Sequence, residues 1–302
     1  MSILVVGSVA LDTVRTPFGQ TGEALGGSAT YFATAASFFT DVRLVAVVGE
    51  DFPDHHLEFL RSRKVDLRGL QRVPGRTFRW VGEYGFDLNE AHTLDTQLNV
   101  FADFAPKIPE EYRDSAVVFL ANIDPDLQRE VLGQTRRPAL VAADTMNYWI
   151  TGKKESLQRT LTLVDTLLIN DAETRQLAGE ANLVQAARKI LTWGPRSLVI
   201  KRGEYGALMV HRGDWFAAPA LPLEAIQDPT GAGDCFAGGF IGYLASRMDF
   251  DDASVRKAMI MGSVMASFNV EAFSLDRLRS LTYEEIEERY RAFTRLARFE
   301  DL

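Results

Sequence analysis

Residues 228–240 read Asp228-Pro229-Thr230-Gly231-Ala232-Gly233-Asp234-Cys235-Phe236-Ala237-Gly238-Gly239-Phe240. Pro229 interrupts a polar turn, and the small residues at 231–233 leave successive backbone N–H groups uncovered before an apolar run of helical character. The first N–H groups of a helix lack partners within the helix and lie at the positive end of its dipole. We therefore predict an anion site where this helix begins.

Asp234 lies within this predicted anion site. Because a carboxylate repels a phosphate, Asp234 is a poor phosphate ligand, but it is suited to act as a general base on a hydroxyl that attacks a phosphoryl group. The amides of Gly231, Ala232 and Gly233 would then stabilise the oxygens of the transferring group. The alternative interpretation is structural, a Gly-rich helix start with an acidic residue in its first turn.

Short apolar runs elsewhere in the chain predict buried strands at residues 3–6, 44–48, 117–120, 140–143, 166–169 and 197–201. Helices are predicted at residues 28–39, 127–135, 155–164 and 183–192. Thr282 and Glu285 form a capping-box pattern that predicts the beginning of a last helix. Strands that alternate with helices indicate βαβ units, so we predict an α/β fold with a doubly wound, mostly parallel sheet sandwiched by helices.

The composition is ordinary for a globular protein of 302 residues, with 46% hydrophobic and 25% charged residues. The net charge of -8 argues against a nucleic-acid partner held by a basic surface. A single cysteine, Cys235, cannot form an intrachain disulfide and favours a reducing compartment. No apolar run reaches the ~18 residues that span a bilayer, so we expect a cytoplasmic protein without a membrane partner.

Five motifs in order resemble those of the ribokinase-like (phosphofructokinase-B type) carbohydrate kinases, a family that also includes nucleoside kinases. The first four read Gly26-Gly27-Ser28-Ala29, Val48-Gly49-Glu50-Asp51, Asn170-Asp171-Ala172-Glu173 and Lys201-Arg202-Gly203-Glu204-Tyr205-Gly206. The fifth is the stretch at 228–240, in which Pro229 replaces a residue that is often Thr. The motifs span nearly the whole chain, so the resemblance implies one α/β kinase domain over residues 1–302.

Two segments interrupt the alternation of strands and helices. Residues 76–84 and 93–101 are β-prone and predict an antiparallel hairpin inserted into the α/β body, and residues 15–22 form a second irregular excursion. A small sheet outside the core must cover or pair with something. The resemblance implies a lid over the sugar, formed by residues 15–22 and about 73–101 and often shared between two subunits. We therefore expect a homodimer through the lid.

The predicted acceptor site begins at Asp12, near the carboxyl end of the first strand, where open α/β sheets bind their ligands. Its carboxylate can accept two hydrogen bonds from sugar hydroxyls. Gly26 and Gly27 would let a hydroxylated ligand approach the backbone. Tyr31 stands where ribokinases and many nucleoside kinases carry Asn, which argues against ribose, whereas Ser28 resembles the residue in some adenosine kinases.

The predicted nucleotide site is mostly implied by the resemblance. Asn170 and Glu173 match the pair that organises Mg²⁺ and the phosphates of ATP, largely through water; the alternative is a helix cap. The basic residue Lys201 lies beside a turn near the nucleotide, and the other matching positions are Gly203 and Gly206 in that turn and Asn269 at the adenine pocket. Asp228 and Thr230 match positions that help to bind K⁺ in ribokinases.

These observations predict an ATP-dependent kinase that transfers the γ-phosphate to a primary hydroxyl of a small sugar. The alternatives are a nucleoside kinase of the adenosine type and a non-catalytic sensor on the same fold, which would be expected to have lost Asp234 or the anion site. A nicotinamide-dependent dehydrogenase fits poorly, because the first strand leads into Gly7-Ser8-Val9-Ala10-Leu11-Asp12 rather than Gly-x-Gly-x-x-Gly. No P-loop motif is present.

Overall fold

The computed structural model describes residues 2–298 of the chain. Its strands are β1 (Ser2–Val6), β2 (Ala10–Thr16), β3 (Gly19–Gly26), β4 (Asp41–Gly49), β5 (Val65–Val73), β6 (Phe78–Tyr84), β7 (Ala91–Gln97), β8 (Val117–Leu120), β9 (Leu140–Asp144), β10 (Thr166–Asn170), β11 (Ser197–Lys201), β12 (Ala207–His211) and β13 (Asp214–Ala218). Its α-helices are α1 (Ser28–Ala36), α2 (Asp54–Ser62), α3 (Pro125–Gln134), α4 (Asn147–Gly152), α5 (Lys154–Leu161), α6 (Asp171–Ala178), α7 (Leu183–Leu191), α8 (Ala232–Arg247), α9 (Asp252–Asn269), α10 (Asp276–Ser280) and α11 (Tyr283–Ala297).

Nine strands form one large sheet in the order β13-β12-β11-β10-β9-β8-β1-β4-β5. The strands from β11 to β5 are parallel, and β12 and β13 add an antiparallel hairpin at one edge. The central strand β8 is completely buried, as expected where helices cover both faces of a parallel sheet. This arrangement confirms the predicted doubly wound, mostly parallel α/β fold.

The hydrophobic cores lie on the two faces of this sheet. One core contains side chains of α1, α8 and α9, such as Phe32, Phe240 and Phe268. The other face is covered in two parts, one around Val131 of α3 and one around Ile190 of α7. Helices α1 and α8, which both begin at the predicted functional motifs, are therefore held rigidly against the sheet and against each other.

The small sheet has the order β3-β2-β6-β7. Its two antiparallel hairpins, β2–β3 and β6–β7, are joined because β2 pairs in parallel with β6. The first hairpin extends over residues 10–26, beyond the excursion expected at 15–22; Leu11 and Val14 are buried, and the pairing with β3 shifts register between Asp12 and Val14. No helix within residues 2–298 is long and apolar enough to cross a membrane.

Candidate active site

The predicted anion site is the beginning of α8. Gly231 precedes the helix with φ 74° and ψ 0°, a left-handed conformation that favours glycine, and no side chain caps the helix. Within residues 2–298, the N–H groups of Gly231, Gly233 and Asp234 have no backbone partner, whereas the N–H of Ala232 donates to Pro229 O at 3.1 Å. The free amides therefore differ from the predicted set, since Ala232 is already engaged.

Tyr31 of α1 lies against this turn. A Cβ on Gly231 would overlap the Tyr31 ring, so the absence of a side chain at 231 lets the ring pack on the backbone of the anion site. Tyr31 is only 2% exposed, and its hydroxyl has no hydrogen-bond partner among the described residues. Burial, together with Asp12 and Asp228, holds the pKa of Tyr31 well above its usual value, so the hydroxyl stays protonated.

Asp234 lies in the first turn of α8 and is partly exposed. Desolvation, together with the nearby carboxylate of Asp144, raises the pKa of Asp234 to about 8, while Lys201 opposes the shift. A carboxylate with its pKa near the working pH is matched to general-base catalysis. The helix-capping alternative fits less well, because no side-chain cap hydrogen bond is present at this helix start.

Lys201 and Asp144 form an ion pair beside the anion site. Lys201 Nζ lies 2.8 Å from Asp144 Oδ2, and Asp144 is 5% exposed. The ammonium also lies about 3.0 Å from where a Cβ on Gly233 would be, so Lys201 reaches the first turn of α8. The sequence interpretation missed Asp144, although an acidic residue at the carboxyl end of the buried strand β9 was a usable signal.

Asp12 of β2 is buried, with 5% exposure. Burial raises the pKa of Asp12 to about 7, against the lowering effect of the Gly27 N–H that donates to it. A Cβ on Gly26 would overlap the Asp12 carboxylate. Ser28 is engaged within the protein, since its Oγ lies 3.1 Å from Ser8 Oγ and its N–H donates to Ser8.

The lid contacts both halves of the site. Tyr84, at the end of β6, has its hydroxyl 3.3 Å from Thr230 Oγ1, and burial raises the pKa of Tyr84 to about 12. The Asn89 side chain occupies the space that a Cβ on Gly203 would need. The lid therefore covers the turn at the nucleotide motif as well as the anion site. The sequence interpretation placed Tyr84 in the apolar insertion but assigned neither Tyr84 nor Asn89 to the site.

Asn170 and Glu173 form a reciprocal capping box at the beginning of α6. Asn170 Oδ1 accepts from Glu173 N–H at 2.7 Å, and Glu173 Oε2 accepts from Asn170 N–H at 3.1 Å. Burial raises the pKa of Glu173 to about 7, while Lys201 lowers it and Asp144 raises it. The structural alternative is thus realised, and Glu173 is at the same time within electrostatic reach of Lys201.

The nucleotide turn is built from left-handed glycines. Gly203 has φ 53° and Gly206 has φ 84°, and a Cβ on Gly206 would overlap Ala218 O. Arg202 N–H donates to Gly206 O at 2.9 Å and closes the turn after β11. The turn follows Lys201 after one residue. The end of β11 therefore places the Lys201 ammonium beside glycine residues, whose backbone carries no side chain of its own.

Asn269 lies behind the anion site rather than on its surface. It is completely buried, its Nδ2 donates to Thr230 O at 2.8 Å, and its Oδ1 lies 3.3 Å from Cys235 Sγ. Both ends of the amide are therefore engaged: one holds the 228–230 loop onto α9, and the other contacts Cys235 of α8. This geometry gives no support to the predicted contact of Asn269 with adenine.

Asp228 is a buried carboxylate with neutral partners. It is completely buried, and its two oxygens accept from Thr230 N–H at 2.8 Å and from Ser274 N–H at 3.1 Å. Within residues 2–298 no Lys, Arg or His forms an ion pair with it. Burial consequently raises the pKa of Asp228.

A carboxylate beside a helix start with free N–H groups, next to a small covering sheet, is an arrangement suited to phosphoryl transfer to a small molecule. Residues 2–278 match the pfkB family of carbohydrate kinases, and the chain belongs to this family. It is an ATP-dependent phosphotransferase that acts on a hydroxyl group.

The named relatives include nucleoside, sugar-acid and sugar kinases. The chain is 34% identical over 257 residues to a cytidine kinase of Thermococcus kodakarensis, covering 82% of this chain and 90% of the relative. It is 29% identical over 274 residues to a 2-dehydro-3-deoxygluconokinase of Thermoproteus tenax, covering 79% of each. A nucleoside kinase of Burkholderia thailandensis, solved in complex with inosine, has the same fold, with a TM-score of 0.79 at 21% identity over 96% of this chain and 97% of that chain.

Proposed function

We propose that this kinase transfers the γ-phosphate of ATP to the primary hydroxyl of a nucleoside, with Asp234 as the general base. The observation that carries the proposal is the position of Asp234 among the free N–H groups of Gly231 and Gly233 at the beginning of α8. A base and an anion site in adjacent residues can take the proton from a hydroxyl and stabilise the phosphoryl group that it attacks.

The residues have distinct roles in this proposal. Asp12 accepts hydrogen bonds from acceptor hydroxyls, and the unpartnered hydroxyl of Tyr31 offers a donor to the same ligand. The proton of the attacking hydroxyl moves to the carboxylate of Asp234 as the new oxygen–phosphorus bond forms. Lys201 and the free amides neutralise charge on the transferring phosphoryl group. Its bond to ADP breaks, and ADP is the leaving group.

The site also fits Mg²⁺. Asp144, Glu173 and Asp234 bring several carboxylates near the ammonium of Lys201; burial is the main cause of the raised pKa of Glu173 and Asp234, and Asp144 adds to it. A triphosphate entering such a site needs a compensating cation, and Mg²⁺ supplies charge neutralisation between the phosphates when bound. Glu173 is the residue we assign to hold it through water, because its carboxylate is beside Lys201 and Asp144.

A K⁺ site at Asp228 is part of the proposal. Its buried carboxylate has neutral hydrogen-bond donors but no cationic partner among the described residues, which is a costly arrangement unless a cation joins it. Thr230 belongs to the same loop and leads directly into the anion site. A cation here would stabilise the conformation of residues 228–231.

The comparisons change which acceptor we expect: the sequence interpretation ranked a sugar before a nucleoside, and we now propose the reverse. Tyr31, which stands where ribokinases and many nucleoside kinases carry Asn, favoured a sugar over a nucleoside. The likeness to a cytidine kinase favours a nucleoside. Because the likeness extends over most of both chains, we give it more weight than one side chain. A sugar or sugar acid is the second candidate, on the likeness to the 2-dehydro-3-deoxygluconokinase.

A coupled assay of ATP turnover across a panel tests the proposal. The panel contains cytidine, uridine, adenosine, inosine, ribose, fructose and 2-dehydro-3-deoxygluconate, each at the same concentration. We expect a nucleoside to have the highest kcat/KM, because a pocket built for hydroxyl contacts can discriminate by ~10⁴–10⁵. A sugar or sugar acid that exceeds every nucleoside selects the second candidate, and turnover of none of them contradicts the proposal.

A further inference from the structure

Asp51, in the Gly49-Glu50-Asp51 motif after β4, has no part in the chemistry described above. Its Oδ1 accepts hydrogen bonds from both the N–H and the hydroxyl of Thr77, each at 2.7 Å. The N–H of Gly49 donates to the same hydroxyl at 3.0 Å. Thr77 is completely buried and directly precedes β6, so the motif holds the segment through which the chain enters the lid.

Arg79 of β6 connects this motif to the lid itself. Its Nη2 lies 2.8 Å from Asp51 Oδ2, its Nε donates to Glu23 of β3 at 2.9 Å, and its Nη1 donates to Thr77 O at 3.0 Å. The Arg79 side chain is 12% exposed, so these charge-assisted bonds are partly shielded from water. One guanidinium therefore joins the main sheet to strands of both lid hairpins.

The segment through which the chain leaves the lid after β7 is bonded to the same residues, at 76–77, through which the chain enters it. Asn99 Nδ2 donates to Thr77 O at 2.9 Å, and Val100 N–H donates to Arg76 O at 3.2 Å. A Cβ on Gly49 would overlap the backbone at Gly75, so the two backbones meet closely. The contacts of Asp51 therefore lie at the place where the chain passes between the main sheet and the lid.

The position of β6 in turn determines the acceptor side of the site. In the parallel pairing of β2 with β6, Asp12 lies opposite Trp80. At the end of the same strand, Tyr84 reaches Thr230 of the anion-site loop. A displacement of β6 would therefore displace Asp12 from the acceptor hydroxyls and Tyr84 from Thr230 of the anion-site loop.

We propose that Asp51 is a positioning residue, which holds β6 through Thr77 and Arg79 and so fixes Asp12 and Tyr84 over the acceptor. The inference rests on the proposed function for the identity of the acceptor. The claim that Asp51 holds the lid strands in place is independent of the proposed function, because it is measured by hydrogen exchange without turnover. Asp51 touches neither the acceptor nor ATP in this assignment, and its effect is exerted through the lid strands.

The variant Asp51→Asn tests the proposal with two readouts. The change removes the charge that faces Arg79, and bonds to charged groups contribute roughly 1.5–3 kcal/mol, so we expect kcat/KM for the acceptor to fall by about tenfold to a hundredfold, mostly through KM. The KM for ATP should stay unchanged. Hydrogen exchange of the amides in β6 and β7 should become faster, while exchange in β1 and β8 stays as in the wild type.

Matched variants separate positioning from a general loss of stability. Asp54→Asn removes a partner of Arg72 at 2.8 Å on the nearby surface, outside the lid, and should leave both readouts unchanged. Thr77→Ser keeps the hydroxyl that Asp51 binds and should behave as the wild type, whereas Thr77→Val should reproduce Asp51→Asn. If Asp51→Asn does not fold, Thr77→Val is judged by the same two readouts.

The outcomes distinguish this inference from the proposed function. The inference would be overturned if Asp51→Asn had the same acceptor KM and the same hydrogen exchange in β6 and β7 as the wild type. It would also be overturned if the variant lost active fraction and thermal stability while its KM stayed unchanged. If wild-type protein phosphorylates no member of the panel, the proposed function fails, and hydrogen exchange alone decides whether Asp51 holds the lid.

Discussion

Asp234 is the residue on which the proposed chemistry most depends. Replacement by Asn keeps the size of the side chain but removes the base, so we expect Asp234→Asn to lower kcat by ~10²–10⁴. Binding of ATP, measured by calorimetry, should be retained. Asp252→Asn, which changes an Asp in the first turn of the neighbouring helix α9, is the matched control and should keep full activity. Near-wild-type turnover by Asp234→Asn would reject the assignment.

The raised pKa of Asp234 predicts a pH dependence with a definite sign. Only the ionised carboxylate accepts a proton, so kcat/KM should rise with pH through about 8 and then level off. The folded-state pKa lies above the unfolded value, so ionisation favours unfolding, and this residue lowers stability progressively as pH rises from about 4 to 8. Asp234→Asn should therefore gain in Tm over the wild type at pH 9 but not below pH 4. An equal Tm difference at both pH values would contradict this explanation.

Tyr31 gives a second prediction from a single side chain. Its buried hydroxyl has no partner among the described residues, and a buried polar group without a partner costs about 1–3 kcal/mol. Tyr31→Phe should consequently have a Tm equal to or above that of the wild type, but a higher KM for the acceptor. A lower Tm together with an unchanged KM would show that the hydroxyl serves the fold.

At this scale the sequence predicted the residues of continuous motifs and missed partners distant in the chain. Asp234 and the glycines before it are recognisable because their functional pattern is local. Asp144 and Lys201 are 57 residues apart, and Tyr84 and Thr230 are 146 apart, so only the fold brings each pair together. Asn269 shows a further limit, since a motif position does not reveal that both ends of the amide are engaged by Thr230 and Cys235.

Among the elements, the loop from Asp228 to Gly231 yields the prediction on monovalent cations. It is held by neutral donors from Ser274 and Asn269 and contains a buried carboxylate without a cationic partner among the described residues. K⁺ should therefore raise both kcat and Tm relative to Na⁺ at equal ionic strength and saturating Mg²⁺. In Asp228→Asn the difference between the two salts should disappear. Equal rates and Tm in both salts for the wild type would remove K⁺ from the proposal.

The predicted and observed elements agree where hydrophobic periodicity is strong. The six predicted strands of the main sheet are all present, and the Thr282–Glu285 capping box does begin α11. Strand β5 was missed because it lies at the sheet edge and alternates apolar residues with Arg68 and Arg72. The β12–β13 hairpin was missed for a related reason, since an antiparallel edge pair adds no βαβ signature.

On the scale of the whole molecule, exposed apolar side chains concentrate on the lid. Phe86 is fully exposed, Phe18 is 54% exposed, and Leu94 and Leu98 are 50% and 44% exposed. All seven residues of β7 are exposed, and β3 and β7 are the open edges of the small sheet. Exposed apolar groups beside unpaired strand edges are typical of surfaces that associate with another chain.

We therefore expect a homodimer in which the lids of two copies associate, as the sequence also predicted. Light scattering at micromolar concentration should give twice the mass of one chain. Phe86→Glu combined with Leu94→Glu places charge in the apolar surface and should yield monomers, because burying unpaired charge is costly. Leu163→Glu changes an equally exposed leucine on the main body and should leave the dimer intact. A monomeric wild type would reject the dimer, and dissociation by Leu163→Glu alone would locate the interface away from the lid.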